Sequence, residues 1–163
     1  MGEYQILATK SKSYLWMYII SLVLLVILES ITLIPLFTIG VTALYVITVI
    51  VLGLLIILDI YWLINYLMTP KNLIEISKKD LKIYRKNNKE ILIDFKNIEN
   101  SQIAIGFLSV FMSNTGNILI ETKDKNKYRV GYIQEFTKVN GQINSIKYIN
   151  ELGEKIDEKT REN

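Results

Sequence analysis

The chain has 163 residues, 50% of them hydrophobic, with a formal net charge of +3 and a mean hydropathy of +0.27. It contains neither cysteine nor histidine, which excludes disulfides, a thiol nucleophile, thiolate metal sites, and the commonest general base and transition-metal ligand. So mild a charge does not indicate a nucleic-acid partner.

In chain order, residues 1–13 read as a short cytoplasmic tail carrying Lys10 and Lys12. Tyr14 then opens an apolar run to Ile34; as a helix this covers about 30 Å, the thickness of a bilayer's hydrocarbon core. Pro35-Leu-Phe-Thr-Ile-Gly40 is predicted as a tight turn, and a second apolar run extends from Val41 to Met68, until Thr69-Pro70 stops it. Residues 14–68 are therefore predicted as an antiparallel transmembrane hairpin whose only charged residues are Glu29 and Asp59. Lys10 and Lys12 precede the hairpin, Lys71, Lys78 and Lys79 follow it, and its turn has no Lys or Arg. The positive-inside rule puts both termini in the cytoplasm. Trp16 and Tyr18 at the start and Tyr61 and Trp62 near the end fall at one face, as interfacial anchors do. A cleaved signal peptide is the competing reading of the first run, but Glu29-Ser-Ile-Thr-Leu-Ile-Pro35 offers no small-x-small cleavage site.

Carboxylates in a membrane segment are costly and mark functional candidates. Glu29 lies toward the turn and Asp59 toward the opposite end, so the two are not expected to pair. For Asp59 the bland partner is a tyrosine hydroxyl or water; the functional ones are a partner helix or an ion or proton path.

Residues 69–152 read as a soluble domain, large enough for one modest core. The hydrophobic period changes to two at Leu73–Ser77, Leu81–Arg85 and Ile91–Phe95, and further strands are predicted at Gln102–Gly106, Phe107–Met112, Asn117–Thr122 and Tyr128–Ile133. Turn chemistry separates them at Lys78-Lys79-Asp80, Asn87-Asn88-Lys89, Ser113-Asn114-Thr115-Gly116 and Asp124-Lys125-Asn126. Seven short strands imply a small sandwich or barrel. Phe136, Val139, Ile143, Ile146 and Ile149 then recur at helical steps, the apolar stripe of a covering helix. Gly153 is expected to end it, leaving 153–163 as a charged, flexible tail.

The order of elements, with Ile93-Asp-Phe-Lys-Asn-Ile98, Thr115-Gly-Asn-Ile-Leu-Ile-Glu-Thr122 and Val130-Gly-Tyr-Ile-Gln-Glu-Phe-Thr-Lys-Val139, resembles bacterial membrane proteins with PH-like domains over roughly Tyr14 to Leu152. The resemblance implies an α+β chain: a two-helix transmembrane hairpin, then a PH-like seven-stranded barrel or sandwich capped by a C-terminal helix.

Lys78, Lys79, Lys82, Arg85, Lys86 and Lys89 form the densest basic stretch, close in sequence to the second span. They are the candidates for anionic lipid, each such charge contributing about 1 kcal/mol near an anionic leaflet; ordinary solvated turn charges are the competing reading. Lys123, Lys125, Lys127 and Arg129 read as a second, solvated turn. No nucleophile–base pair, metal-ligand spacing or Gly-rich phosphate loop is evident. The expectation is a non-enzymatic adaptor or scaffold at a bacterial plasma membrane, without cofactor or metal. It would bind lipid, itself as a homo-oligomer, or another membrane protein. The alternative is a small accessory subunit of a transporter or channel.

Overall fold

The computed structural model describes residues 3–38, 42–104 and 114–161. The chain is α+β, with three helices and two antiparallel sheets of four and three strands. It divides into two units. One is Lys12–Met68; the other joins Met1–Ser11 to Thr69–Asn163.

The first unit is a pair of packed apolar helices, α1 (Lys12–Thr38) and α2 (Ala43–Leu67), both long and apolar enough to cross a membrane. Pro35 does not end α1 as expected but lies within it. Proline removes one backbone donor, which would have reached the Ile31 carbonyl, and the cost is limited so close to a helix end. The Thr38 hydroxyl caps the Ile34 carbonyl at 3.1 Å in the same last turn. Residues 39 and 40 of the expected turn lie outside the described residues. Tyr14 and Tyr18 of α1 and Leu52, Asp59 and Tyr66 of α2 are buried. Positions 52, 59 and 66 are seven apart, the repeat that keeps one helical face on a partner. The remaining faces are almost wholly apolar and exposed, Leu24, Ile27, Ile50 and Ile57 among them.

The second unit begins before the hairpin. Gln5–Thr9, read from sequence as a tail, forms strand β1, and β1 pairs antiparallel with β2 (Asn72–Ile76) on the far side of the hairpin. Beyond β2 come β3 (Asp80–Tyr84) and β4 (Glu90–Asp94), completing the sheet β1-β2-β3-β4. The second sheet is β5 (Ile98–Ala104), β6 (Thr115–Thr122) and β7 (Lys127–Gln134), in that order. Six described strands therefore follow the hairpin, and the seventh precedes it. The predicted strand Phe107–Met112 and the end of Gln102–Gly106 lie outside the described residues.

Neither sheet closes on itself. They approach where Lys10 bridges Ile133 and the Ser11 amide donates to the Tyr132 carbonyl at 2.7 Å. They approach again where the Phe95 amide donates to Lys79 and the Lys123 amide to Asn97. Period-two alternation turns Leu81 and Ile83 of β3, Ile93 of β4, and Ile118 and Ile120 of β6 into one core. Phe95, in the 3₁₀ turn Phe95–Asn97, fills its middle.

Helix α3 (Phe136–Arg161) covers this core with Val139 and Ile143, flanked by Phe136 and Ile146. Two expectations fail here. Ile149 leaves the stripe, being 65% exposed beside exposed Tyr148 and Leu152. The helix also continues through Gly153 to Arg161; one interior glycine costs about 1 kcal/mol, too little to break a helix among good helix formers. A polar clip fixes α3 on β5: the buried Ser101 hydroxyl donates to Asn140 Oδ1 at 2.7 Å, and Asn144 Nδ2 donates to the Ser101 carbonyl at 3.2 Å. The Phe136 ring lies flat on Gly116, where an added Cβ would meet ring atoms at 3.0 Å.

Overfilling that contact should destabilise the domain. Gly116→Ala is expected to cost about 1–3 kcal/mol, seen as a lower denaturant midpoint in detergent-solubilised full-length protein. Phe136→Leu in the same chain should restore part of it.

Candidate anion-binding site

The six basic residues singled out from sequence do not form one patch. β3 is five residues long, about 13 Å from first to last, and it separates them. Lys78 and Lys79 sit in the turn before β3, where they line a cavity of about 890 Å³ with Glu3, Asp80 and Ile149. Lys82 lies within β3 and is engaged: its ammonium pairs with Glu90 at 3.1 Å and stands 4.8 Å from the centroid of the Tyr4 ring. Arg85, Lys86 and Lys89 belong to the opposite turn, between β3 and β4. That turn is possible because Asn87 takes a left-handed conformation, φ 59°, which asparagine tolerates well.

These three turn residues line a second cavity of about 450 Å³, together with Arg129 and Tyr132 of β7 and Thr69. Its floor includes the buried side chains of Leu73, Ile83 and Val130. Arg85 reaches β7 directly, its guanidinium 5.9 Å from the centroid of the Tyr128 ring. Four basic residues thus line one concavity, and among the described residues no Asp or Glu lines it. Arg85, Lys89 and Arg129 make no ion pair among the described residues. The β7 wall carries a bulge: the register passes from Gly116↔Ile133 to Ile118↔Val130, so Gly131 and Tyr132 both stand opposite Asn117. Tyr132 has φ 63°, a costly conformation for a bulky residue, and such bulges often re-aim chain beside binding sites.

Arg129 is the residue that sequence reasoning assigned to a different turn. Its neighbour there, Lys127, pairs with Glu121 at 2.6 Å, whereas Arg129 is among the residues that line the cavity. Arg85 and Arg129 are far apart in sequence and line one cavity because β7 passes the β3–β4 turn, for which the local sequence carries no signal.

A separate polar network surrounds Lys82. The Tyr84 hydroxyl donates to Glu75 Oε2 at 2.7 Å, and this bond to a carboxylate is the main reason its ionisation is pushed above the ordinary phenol range. Lys82 is also raised, chiefly through Glu90. Lys10 moves the other way, lowered by burial, while its ammonium donates to the Thr69 carbonyl at 2.6 Å.

In the hairpin, Trp16, Tyr61 and Trp62 are exposed, while Tyr18 is buried in the seam with its ring 6.2 Å from that of Tyr66. Glu29 and Asp59 do not meet. Asp59, 6% exposed, takes a hydrogen bond from Ser21 on the facing helix. Glu29 lies near Gly53 of the facing helix, where an added Cβ would stand 4.0 Å from its Oε1. One oxygen of each, Glu29 Oε2 and Asp59 Oδ2, is buried without a hydrogen-bond partner. Among the described residues no group of three or more Asp or Glu side chains is placed to hold a metal ion.

No protein-family model, curated protein or solved structure matches this chain.

The Tyr84 shift has a pH signature. Below the ordinary phenol value near pH 10 the hydroxyl is protonated both folded and unfolded. Above it the unfolded chain loses the proton first, so folding stability falls as pH rises through the raised folded value. Glu75→Gln should flatten the fall in denaturant midpoint between about pH 9.5 and 11, measured on the full-length protein in detergent.

Proposed function

We propose that the protein is a non-enzymatic, membrane-anchored adaptor, with a PH-like domain held at the cytoplasmic surface of a bacterial plasma membrane by a two-helix transmembrane hairpin. The observation that carries this reading is the insertion of the hairpin between β1 and β2, two strands paired in one sheet. If the helices cross a bilayer, both their ends must open on the side where that sheet folds, so the domain is attached at two points. The positive charges flanking the hairpin and their absence from its turn support the cytoplasm as that side.

The exposed faces of α1 and α2 support lipid as their solvent. Core helices of a soluble protein are mostly buried; these are mostly exposed and apolar, a patch that water does not tolerate on a monomer. The PH-like reading rests on the element order: four strands, three strands and a covering helix, with the sheets meeting at Lys10 and Ile133. An anchored domain needs little intrinsic affinity, because tethering raises the effective concentration of surface ligands. Membrane lipid, a second copy or another membrane protein are its ligands in this reading.

A second reading, a small accessory subunit of a transporter or channel, is favoured by the unpartnered carboxylate oxygens of Glu29 and Asp59 in the hairpin seam. It requires a hetero-complex of fixed composition after gentle detergent extraction, and Asp59→Asn should then disturb that complex. The adaptor reading expects Asp59→Asn to be neutral.

The absence of native cysteine makes topology directly testable. Thr42→Cys, at the turn side, should react with an impermeant maleimide from outside intact cells. Lys138→Cys, on α3, should react only in inverted vesicles. Reaction of both from one side, or protein in the supernatant without detergent, would overturn the anchored reading.

A further inference from the structure

We propose that the cavity between the β3–β4 turn and β7 is a binding site for a phosphate-bearing anion, held by Arg85, Lys86, Lys89 and Arg129. Three observations converge on it. Four basic residues line one concavity of about 450 Å³ that, among the described residues, no Asp or Glu lines. Like charges lining one cavity repel one another, and an anion bound there lowers that repulsion. Arg85, Lys89 and Arg129 are not occupied by ion pairs among the described residues, in contrast to Lys82 and Lys127, which are. Two of the four are arginines, whose planar forks match phosphate oxygens two at a time, and the lysines add point charges.

The geometry also distinguishes this site from the rest of the basic sequence. Lys78 and Lys79 face a different cavity, one that Glu3 and Asp80 also line, so their charge is locally offset. Arg129, contributed by β7, belongs to the site although it lies some forty residues beyond the β3–β4 turn. The bulge at Gly131 and Tyr132 lies in the same wall, and the Tyr132 carbonyl is tied to the Ser11 amide. That tie fixes the β7 wall to the strand leading into the hairpin.

Thr69, another lining residue, follows directly on Met68 at the end of the second apolar run. Where the ligand comes from rests on the anchored reading: with the hairpin in a bilayer, lipid phosphate is the abundant source. A soluble phosphate ester or inorganic phosphate presents the same chemistry.

The test is calorimetric titration of full-length protein in a neutral detergent with three probes: inorganic phosphate, dihexanoyl phosphatidic acid and dihexanoyl phosphatidylcholine. The wild type should bind phosphatidic acid, phosphate or both, and phosphatidylcholine at least about tenfold more weakly. Binding of phosphatidic acid alone identifies a lipid headgroup; equal binding of phosphate identifies a soluble ligand. Arg85→Gln/Lys89→Gln/Arg129→Gln should lose at least about tenfold in affinity, while Lys78→Gln/Lys79→Gln, which removes two positive charges at the other turn, should stay within about twofold. Arg129→Gln alone, at an exposed position, should lose about fivefold, and covers the case in which the triple variant unfolds. Equal loss in both multiple variants would mean diffuse charge and overturn the site. So would unchanged binding by Arg129→Gln and the triple variant, equal binding of phosphatidylcholine, or no binding of any probe by the wild type. Cysteine labelling reads the anchor independently, so a failed titration with intact topology removes the site and leaves the anchor standing.

Discussion

The pairing of β1 with β2 is the constraint on which this architecture depends. It joins two stretches of chain separated by the whole hairpin, and Lys10 sits at the junction: its amide donates to the Lys71 carbonyl and its ammonium to the Thr69 carbonyl, 59 residues away. Closing so long a loop in an unstructured chain costs several kcal/mol of entropy, rising slowly with length. A packed antiparallel helix pair removes most of that cost, because it returns the chain to within about one interhelical distance, 8–10 Å, of where it left. Strand pairing and helix packing therefore reinforce each other. The lowered ionisation of Lys10 reflects its burial at this junction, where its hydrogen bond to a carbonyl compensates part of the lost hydration.

Much of the second unit was legible because its signals are local. Alternation in Leu81-Lys-Ile and Ile118-Leu-Ile put the correct residues inward, and Asn87, Asn114 and Lys125, all at left-handed φ, fell in segments read as turns from their composition. β1 was not legible. Its five residues, Gln-Ile-Leu-Ala-Thr, leave Ile6 exposed and bury Ala8, the reverse of what hydrophobicity alone would say, because a register shift between Ile6 and Ala8 resets the alternation. Its partner also lies beyond the apolar hairpin, where no window on the sequence can reach. Pro35 and Gly153 misled in the same way: each is a breaker by propensity, yet each costs only what a helix near its end, or one of twenty-six residues, absorbs.

The candidate site was half legible. Composition identified a basic stretch but not its division, since strand geometry sends Lys78 and Lys79 to one end of β3 and Arg85, Lys86 and Lys89 to the other. What completes the cavity is Arg129, brought in by tertiary folding. The separation of engaged from unengaged cations follows equally from the fold: Lys82 has Glu90 directly at hand across the β3–β4 ladder, and Lys127 has Glu121 across β6–β7. Arg85 and Arg129 have no such cross-strand acid. An electrostatic map drawn from sequence would weight all of them alike.

If the hairpin crosses a bilayer, its insertion between the first two strands of the sheet has a consequence for turnover. A domain hung from one stalk is shed by a single proteolytic cut. Here a cut before Lys12 leaves the strands after the hairpin covalently attached through α2, and a cut after Met68 leaves β1 attached through α1 and still hydrogen-bonded to β2. Release into solution then takes either two cleavages or one cut after Met68 together with the loss of edge strand β1, so a single cut that leaves β1 paired produces a nicked protein that stays where it is.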